Sequence, residues 1–196
     1  MNKIILDKGN IIDLDIIEDS IIEISKYYDI NVLNINISDN VSLIINHYSE
    51  INNISNLKIK IFENNNSEFI YNHSFMNNKN YNLDINIEML GNNSKNIINI
   101  KGISNNGISN IVVDGKVLEN TLDNILDESI RMLNINDGKS NILPNMYINT
   151  KNVLANHACT VTNINKDYLF YLNNKGIDND FGKKLIIDGF LENSAR

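Results

Sequence analysis

Apolar and polar residues alternate one by one along most of the chain. In residues 83–89, for example, leucine, isoleucine and methionine at odd positions alternate with aspartate, asparagine and glutamate at even positions. Since successive side chains of a β-strand point to opposite faces, such a run predicts a strand with one buried face and one face in water. Further runs of this kind are residues 33–38, 57–61, 98–101, 111–113 and 146–148.

Short polar segments separate the predicted strands. They are rich in glycine, asparagine and aspartate, which favour turns. The strands recur every roughly 10 to 15 residues, a spacing that fits a sandwich, a barrel or a solenoid of stacked turns. No strict repeat motif chooses among these three architectures, although asparagine side chains stack well between solenoid turns.

Residues 15–29 show a different pattern. Ile17, Ile21, Ile24 and Tyr28 recur at helical spacing, so the segment fits either a helix or two short strands. We therefore predict a β core over residues 1–164, in which the pattern does not decide the secondary structure of residues 1–31.

The C-terminal segment predicts two short helices. Asn165 can cap a helix over residues 166–175, and Gly176 stands where a helix-terminating glycine belongs. Asp178 can cap a second helix that runs to about Leu191. We therefore predict that residues 165–196 form a helical hairpin. The apolar side chains available for its packing are Leu169, Leu172, Phe181, Leu185 and Ile186.

Charge and cysteine usage exclude several classes of function. The net charge of −7 opposes binding to nucleic-acid phosphates, and the lysines form no basic stripe for nucleic acid or a membrane surface. The single cysteine excludes an internal disulfide and fits a reducing compartment. The sequence shows neither the apolar core of a secretory leader nor an apolar run long enough for a membrane span, so we expect a cytoplasmic protein.

Asparagine makes up about a fifth of the chain, far above ordinary usage. The excess falls on predicted strands and turns alike. We therefore interpret most asparagines as neutral replacements for aspartate, lysine, serine or glycine that follow a compositional bias.

The common nucleotide and zinc motifs are absent from the sequence. Residues 138–140 end like a phosphate-binding loop, but Leu133 occupies the position of its first glycine. No two histidines have zinc-ligand spacing, and one cysteine cannot supply a four-cysteine site. His47 and His73 lie in polar segments and are predicted to be surface residues. The same solvated position is predicted for the carboxylates of Asp13, Asp15, Glu18, Asp19, Asp123, Asp127 and Glu128.

His157 and Cys159 form the one pair with candidate chemistry. In a strand their side chains would point to the same face, where imidazole and thiolate could bind a soft metal or an iron–sulfur species. The spacing also fits a small apolar cysteine beside a hydrogen-bonded histidine, which is the commoner arrangement. A nucleophilic pair would need an orienting third group, for which the sequence offers no candidate. The aromatic residues 168–171 fit either a core or a partner surface.

Three segments in the last third resemble the C-terminal core of the SufB/SufD family. Residues 144–161 are a proline and an alternating strand that contains His157. Residues 169–177 are a Leu-Phe-Tyr-Leu helix that ends at Lys-Gly-Ile, and residues 185–190 end in Gly-Phe. A weaker likeness extends over residues 82–107.

This resemblance implies a right-handed parallel β-helix, which is a solenoid, with a C-terminal helical hairpin. It also implies a scaffold subunit of iron–sulfur cluster assembly, in which SufB-like and SufD-like subunits pair through their β-helix ends. His157 matches the family histidine implicated in cluster assembly at that subunit interface. We expect His157, with Cys159 beside it, to contact a transient iron–sulfur cluster there. The helices would dock onto a SufC-like ABC-type ATPase. The residues implied in docking are Tyr168, Leu169, Phe170, Tyr171, Leu172, Gly176, Ile177, Leu185 and Phe190.

Departures from the family pattern indicate the SufD type. The SufB-type cysteine would fall near Gly138, and Ala158 replaces the SufB-type glutamate after the histidine. Ala155 stands where many SufD-type members carry a cysteine, whereas Cys159 follows His157. We expect a SufD-like or short ancestral-type subunit that is not an enzyme, holds no cluster alone, and pairs with a SufB-like subunit or a second copy of itself. The alternatives are a structural β-solenoid without metal chemistry and a small enzyme that uses His157 and Cys159.

Overall fold

The computed structural model describes the backbone of residues 1–192, and the side chains of all of these except residues 7, 25–28 and 192. Within this range the chain is mainly β-strand, with two helices after the last strand. The elements are β1 (Asn2–Ile16), β2 (Ser20–Ile37), β3 (Ser42–Ile51), β4 (Ser55–Glu63), β5 (Glu68–Asn77), β6 (Asn80–Met89), β7 (Lys95–Asn105), β8 (Ile108–Val117), β9 (Asn124–Ile135), β10 (Lys139–Ile148), β11 (Val153–Asn163), α1 (Lys166–Asn174) and α2 (Asn179–Glu192).

The strands coil into a parallel solenoid of about five turns. Even-numbered strands from β2 to β10 form one side, odd-numbered strands from β3 to β11 form the other, and the long strand β2 belongs to both. Strand β1 pairs in parallel along most of β2. The predicted β-solenoid with two C-terminal helices is confirmed, and the sandwich and barrel alternatives are wrong.

The hydrophobic core lies between the two sides, where equivalent residues of successive turns align. One such column consists of Leu33, Ile59, Ile85 and Val113, each at most 1% exposed. Full burial of one such side chain contributes roughly 2 kcal/mol relative to exposure. Aligned residues of successive turns share a face. The alternation along each strand therefore places every second side chain on the face that lines this core.

Many asparagines make specific contacts, so their interpretation as neutral replacements is wrong. Their side chains form hydrogen-bonded ladders between turns. In one ladder, Asn78 donates to Asn52 at 2.9 Å and Asn105 donates to Asn78 at 2.8 Å. Six asparagines, some of which also take part in such ladders, adopt the left-handed backbone conformation, which asparagine tolerates better than most residues. These are Asn40, Asn66, Asn93, Asn106, Asn120 and Asn136, with φ between 52° and 65°.

Residues 15–29 are extended, so the helical alternative for this segment is wrong. They contain the end of β1 and the first part of β2. Ile22 and Ile24 are both buried, and Ile22 aligns with Ile4 of β1 and with Ile45 of β3. The isoleucines of this segment also fit helical spacing. The segment is nevertheless a strand, because β2 pairs with parallel strands on both of its sides.

The two helices begin where the capping residues predict. The Asn165 side chain accepts a hydrogen bond from the backbone N–H of Asp167 at 2.8 Å, and Gly176 follows α1 with φ of +81°. The Asp178 carboxylate accepts from the backbone N–H of Phe181 at 2.9 Å. Residues 193–196 of the predicted hairpin lie outside the described part of the chain.

The helices meet where α2 has a small residue. A Cβ added to Gly182 would lie 3.3 Å from Leu172 Cδ1 and 3.6 Å from Leu169 Cδ2, so glycine permits this close approach. Phe181 and Leu185, which the sequence offers for packing, are instead 52% and 42% exposed. In residues 1–192, no helix has the length and apolar character needed to cross a membrane.

Candidate functional site

The last turn of the solenoid leaves one end of the core uncovered. Strands β10 and β11 stand at the two ends of the strand order, and β11 aligns with β9. Leu126 and Ile130 of β9 are fully buried, but Cys159, the partner of Ile130 in β11, is exposed. We call this surface, formed by the inward positions of β10 and β11, the open end.

His157 and Cys159 lie together at the open end. His157 aligns with Glu128 and Cys159 aligns with Ile130, so both candidate residues continue inward-facing columns. Both are exposed, since residues 1–192 place no further turn over them. Partial burial, and then the negative charge of Glu128, raise the pKa of the Cys159 thiol. The thiol therefore remains protonated at neutral pH, and binding a cation would have to displace its proton.

Glu128 is a residue of this site that sequence reasoning missed. Its predicted solvated position is wrong, because the side chain is fully buried. Burial, and then the charges of Asp114 and Asp127, raise the pKa of Glu128 to about 7. The signal was available in the sequence: Glu128 alternates in phase with Leu126 and Ile130, so it occupies an inward position of β9.

The Glu128 carboxylate extends toward the opposite side of the solenoid. A Cβ added to Gly115 of β8 would lie 2.9 Å from Glu128 Oε1 and 2.6 Å from Leu126 Cδ2. Glycine at this position therefore provides the space that the carboxylate occupies. Neither oxygen of Glu128 has a hydrogen-bond partner within residues 1–192.

His47 and His73 are buried, so their predicted surface position is wrong. They occupy aligned inward positions of β3 and β5, with ring centroids 4.0 Å apart. His73 Nε2 lies 3.1 Å from the Tyr81 hydroxyl, and His47 Nδ1 lies 2.9 Å from the Tyr71 hydroxyl. Burial lowers the pKa of His73 to about 4 and that of His47 well below its usual value. The two rings are therefore neutral members of the core.

This histidine pair does not belong to the open end. In the column that contains both rings, Ile100 of β7 and Ile130 of β9 separate His73 from Cys159. The stacked rings therefore add no donor to the pair that the sequence singled out.

A second buried carboxyl group lies deeper in the solenoid. Glu63 is fully buried, and the Asn96 side chain donates a hydrogen bond to its Oε1. Burial raises the pKa of Glu63 to about 8, with the hydrogen bond from Asn96 opposing part of that shift. Ile37 and Met89 of the neighbouring strands cover it on both sides. Glu63 is thus distant in the fold from the open end.

The aromatic residues of α1 form an exposed patch rather than a core. Tyr168, Phe170 and Tyr171 are 65%, 69% and 60% exposed. Of the other residues implied in docking, Leu185 is exposed, Gly176 ends α1, and Leu169, Leu172, Ile177 and Phe190 are half-buried. Exposed aromatic side chains of this kind commonly mark a protein-binding surface.

The open end is not a complete metal cage. Across residues 1–192, no three histidine, cysteine, aspartate or glutamate side chains are arranged to hold a metal ion. His157 and Cys159 supply one nitrogen and one sulfur donor, which suit iron better than magnesium or calcium. Further ligands have to come from rotated side chains, from another chain or from the bound group itself.

One comparison with known proteins identifies a family. The family model described as SUF system FeS cluster assembly, SufBD core domain, matches residues 49–190. The match covers most of the solenoid, the whole open end and nearly all of both helices. A search of curated proteins found no match for this chain.

Proposed function

Because the chain belongs to the SufB/SufD family and so has a role in iron–sulfur cluster assembly, we propose that it is a SufD-like subunit of the scaffold complex. In this proposal it is not an enzyme and works in the cytoplasm. The observation that carries the proposal is the open end, where His157 and Cys159 share an uncovered face at the edge of a parallel sheet.

The open end supports pairing with a SufB-like subunit or with a second copy of this chain. An uncovered solenoid turn exposes apolar inward positions and unpaired backbone groups, which another strand can cover. Ile142, Met146 and Ile148 of β10 are half-buried against the core and offer apolar area for this contact. A partner at this end would bring its own side chains next to His157 and Cys159.

The exposed patch on α1 supports docking of a SufC-like ATPase. Tyr168, Phe170 and Tyr171 present large rings that would be buried in such a complex, and aromatic anchors dominate the energetics of many interfaces. The half-buried Leu169 and Leu172 hold α1 against α2, so their role would be to position the patch.

The iron–sulfur cluster is the cargo of the proposed complex. His157 and Cys159 supply two donors, and a cluster needs more. The chain would therefore hold a cluster only transiently and together with a partner. The SufD-like assignment follows from Ala158, which replaces the SufB-type glutamate, and from the missing cysteine near Gly138.

Anaerobic purification of the full chain, co-expressed with the SufC-like ATPase and SufB-like subunit of its own source, tests the proposal. We expect a stoichiometric complex that Phe170→Ala weakens, because this ring is 69% exposed on α1. Ile54→Ala is the matched control, since Ile54 is 72% exposed but lies on the solenoid.

Failure of the well-folded chain to recover either partner would overturn the subunit proposal. The chain would then fit the alternative of a structural β-solenoid without metal chemistry. Equal loss of the complex in both variants would show that the α1 patch is not the docking surface.

A further inference from the structure

Glu128 is a buried carboxylate that the fold does not explain. It is fully buried, and both of its oxygens lack a hydrogen-bond partner within residues 1–192. Burying a carboxylate without a partner is unfavourable, and buried polar groups in folded proteins are otherwise almost always hydrogen-bonded. Such an unfavourable position is most readily explained by a function at that position.

Its place in the fold connects Glu128 with the open end. Glu128 lies one turn below His157 in the same column, and adjacent parallel strands lie about 4.8 Å apart. Its charge also acts on the Cys159 thiol. A carboxylate, an imidazole and a thiol from two neighbouring turns thus lie at one end of the solenoid.

Glu63 shows what a buried carboxyl group looks like when it serves the core alone. Its Oε1 accepts a hydrogen bond from Asn96, its Oε2 has no partner among the described residues, and apolar residues lie above and below it in its column. Neither oxygen of Glu128 has a donor among the described residues, and the residue above it is the exposed His157. The difference lies in position along the solenoid rather than in residue type.

We propose that Glu128 is an oxygen ligand at the open end, where it binds a divalent transition-metal ion together with His157 and Cys159. Nitrogen, sulfur and oxygen donors together suit Fe²⁺, Co²⁺ or Zn²⁺ and disfavour Mg²⁺ and Ca²⁺. The metal site itself is argued from the structure. The statement that its physiological ion is iron for cluster assembly rests on the proposed function.

The three side chains are not yet in binding geometry, and the site forms by movement of its two exposed members. His157 and Cys159 can change rotamer without repacking the core, because none of residues 1–192 forms a turn over them. Glu128 is held from below by Ile98 of β7, and its carboxylate packs closely against Gly115 of β8. The fourth ligand is water in the isolated chain.

An anaerobic titration of the full chain with Co²⁺ tests this site, since a cobalt–thiolate bond gives a charge-transfer absorption band that reports Cys159 directly. We expect the band in the wild type and its loss in Cys159→Ser. Glu128→Gln keeps the shape of the side chain but removes its charge, and we expect it to weaken Co²⁺ binding by about 10-fold or more. Glu63→Gln removes the other buried carboxyl group and should bind Co²⁺ as the wild type does.

Thermal unfolding of the metal-free chains separates a ligand role from a structural one. Glu128→Gln removes an unpaired buried charge, so its midpoint should equal or exceed that of the wild type while its Co²⁺ affinity falls. Equal Co²⁺ affinity in Glu128→Gln and the wild type, or no thiolate band in the wild type, would overturn the inference.

The outcome is independent of the test of the proposed function. Recovery of the scaffold complex without Co²⁺ binding would overturn the metal site alone. Co²⁺ binding without recovery of a complex would overturn the subunit proposal and leave the site in place.

Discussion

The imidazole rings of His47 and His73 stack inside the solenoid with an interplanar angle of 19°. The Nδ1 atom of His73 also lies 3.0 Å from the backbone oxygen of His47. Two charged rings at this distance would repel each other in a medium of low dielectric constant. The core therefore depends on both histidines remaining neutral.

Acid should destabilise the chain through this pair. Burial lowers the pKa of His73 from 6.5 to about 4, so the unfolded chain binds an additional proton between these two values. The contribution of His73 to the free energy of unfolding therefore falls by about 3 kcal/mol as the pH drops from 6.5 to 4, whereas Glu63 acts in the opposite direction over part of this range. Urea unfolding followed by circular dichroism measures this dependence.

His73→Gln should lose less stability over this pH range than the wild type, although it is less stable at pH 7. His157→Ala is the matched control for the loss of a histidine, because His157 is exposed whereas His73 is buried. Identical pH profiles of His73→Gln and the wild type would contradict a neutral buried His73.

Alkali should destabilise the chain through Glu63. Burial raises the pKa of Glu63 from 4.5 to about 8, so here the folded chain binds the additional proton. This contribution is complete below pH 4.5 and is lost as the pH rises to 8, with a total on the order of 5 kcal/mol. Glu63→Gln cannot ionise, so its free energy of unfolding should decrease less between pH 5 and 8.

Glu119→Gln is the control for this prediction, since Glu119 is exposed in a turn. It should reproduce the wild-type profile. A wild-type profile that is flat between pH 5 and 8, while Glu63→Gln matches it, would show that Glu63 is ionised in the folded chain.

The sequence predicts local features of this fold well, because they depend on nearby residues. The alternation around Ile85 and Ile87 gives both a strand and its buried face. Asn165 and Gly176 locate the first helix, because a capping side chain and a left-handed glycine act on adjacent backbone groups.

The buried polar residues were missed because their environment comes from other turns. His47 and Glu128 look solvated beside their polar neighbours in the sequence, yet each occupies an inward position that parallel partners cover. The resemblance pointed to His157 and the strand spacing added Cys159, but the carboxylate beneath them follows only from the alignment of β9 with β11. The alternation along a strand shows which face of the sheet a side chain occupies. Whether that side chain is buried depends on the turns of the solenoid above and below it.

The turn asparagines should contribute to stability individually. Asn66 has φ of 53°, and its side chain donates to Asn40 Oδ1 at 3.0 Å. Asn66→Ala removes this hydrogen bond and places a less tolerant residue in the left-handed region, so we expect a loss of about 1–2 kcal/mol. Asn66→Gly should lose less, because glycine adopts this conformation without strain.

Chemical denaturation of both variants measures this effect. Asn53→Ala is the control, because Asn53 is exposed and is not among the residues with positive φ, so it should change stability by less than about 0.5 kcal/mol. Equal stability of Asn66→Ala and the wild type would restore the interpretation of these asparagines as neutral.

His157→Ala should separate assembly from cargo binding. His157 is exposed on the last strand, so its loss removes little buried area, and we expect a change in unfolding free energy of less than about 0.5 kcal/mol. The variant should therefore form the same complex with its proposed partners. Cluster formation on the purified complex should fall, because a nitrogen donor is missing at the open end.

Absorbance and iron content of the anaerobic complex measure cluster formation. Asn156→Ala is the control for this prediction. Asn156 neighbours His157 in β11 but aligns with the exposed Asp127, so its side chain lies on the outer face. It should leave cluster formation unchanged. Normal cluster formation by His157→Ala in an intact complex would remove His157 from the site, whereas loss of the complex itself would assign His157 to the subunit contact.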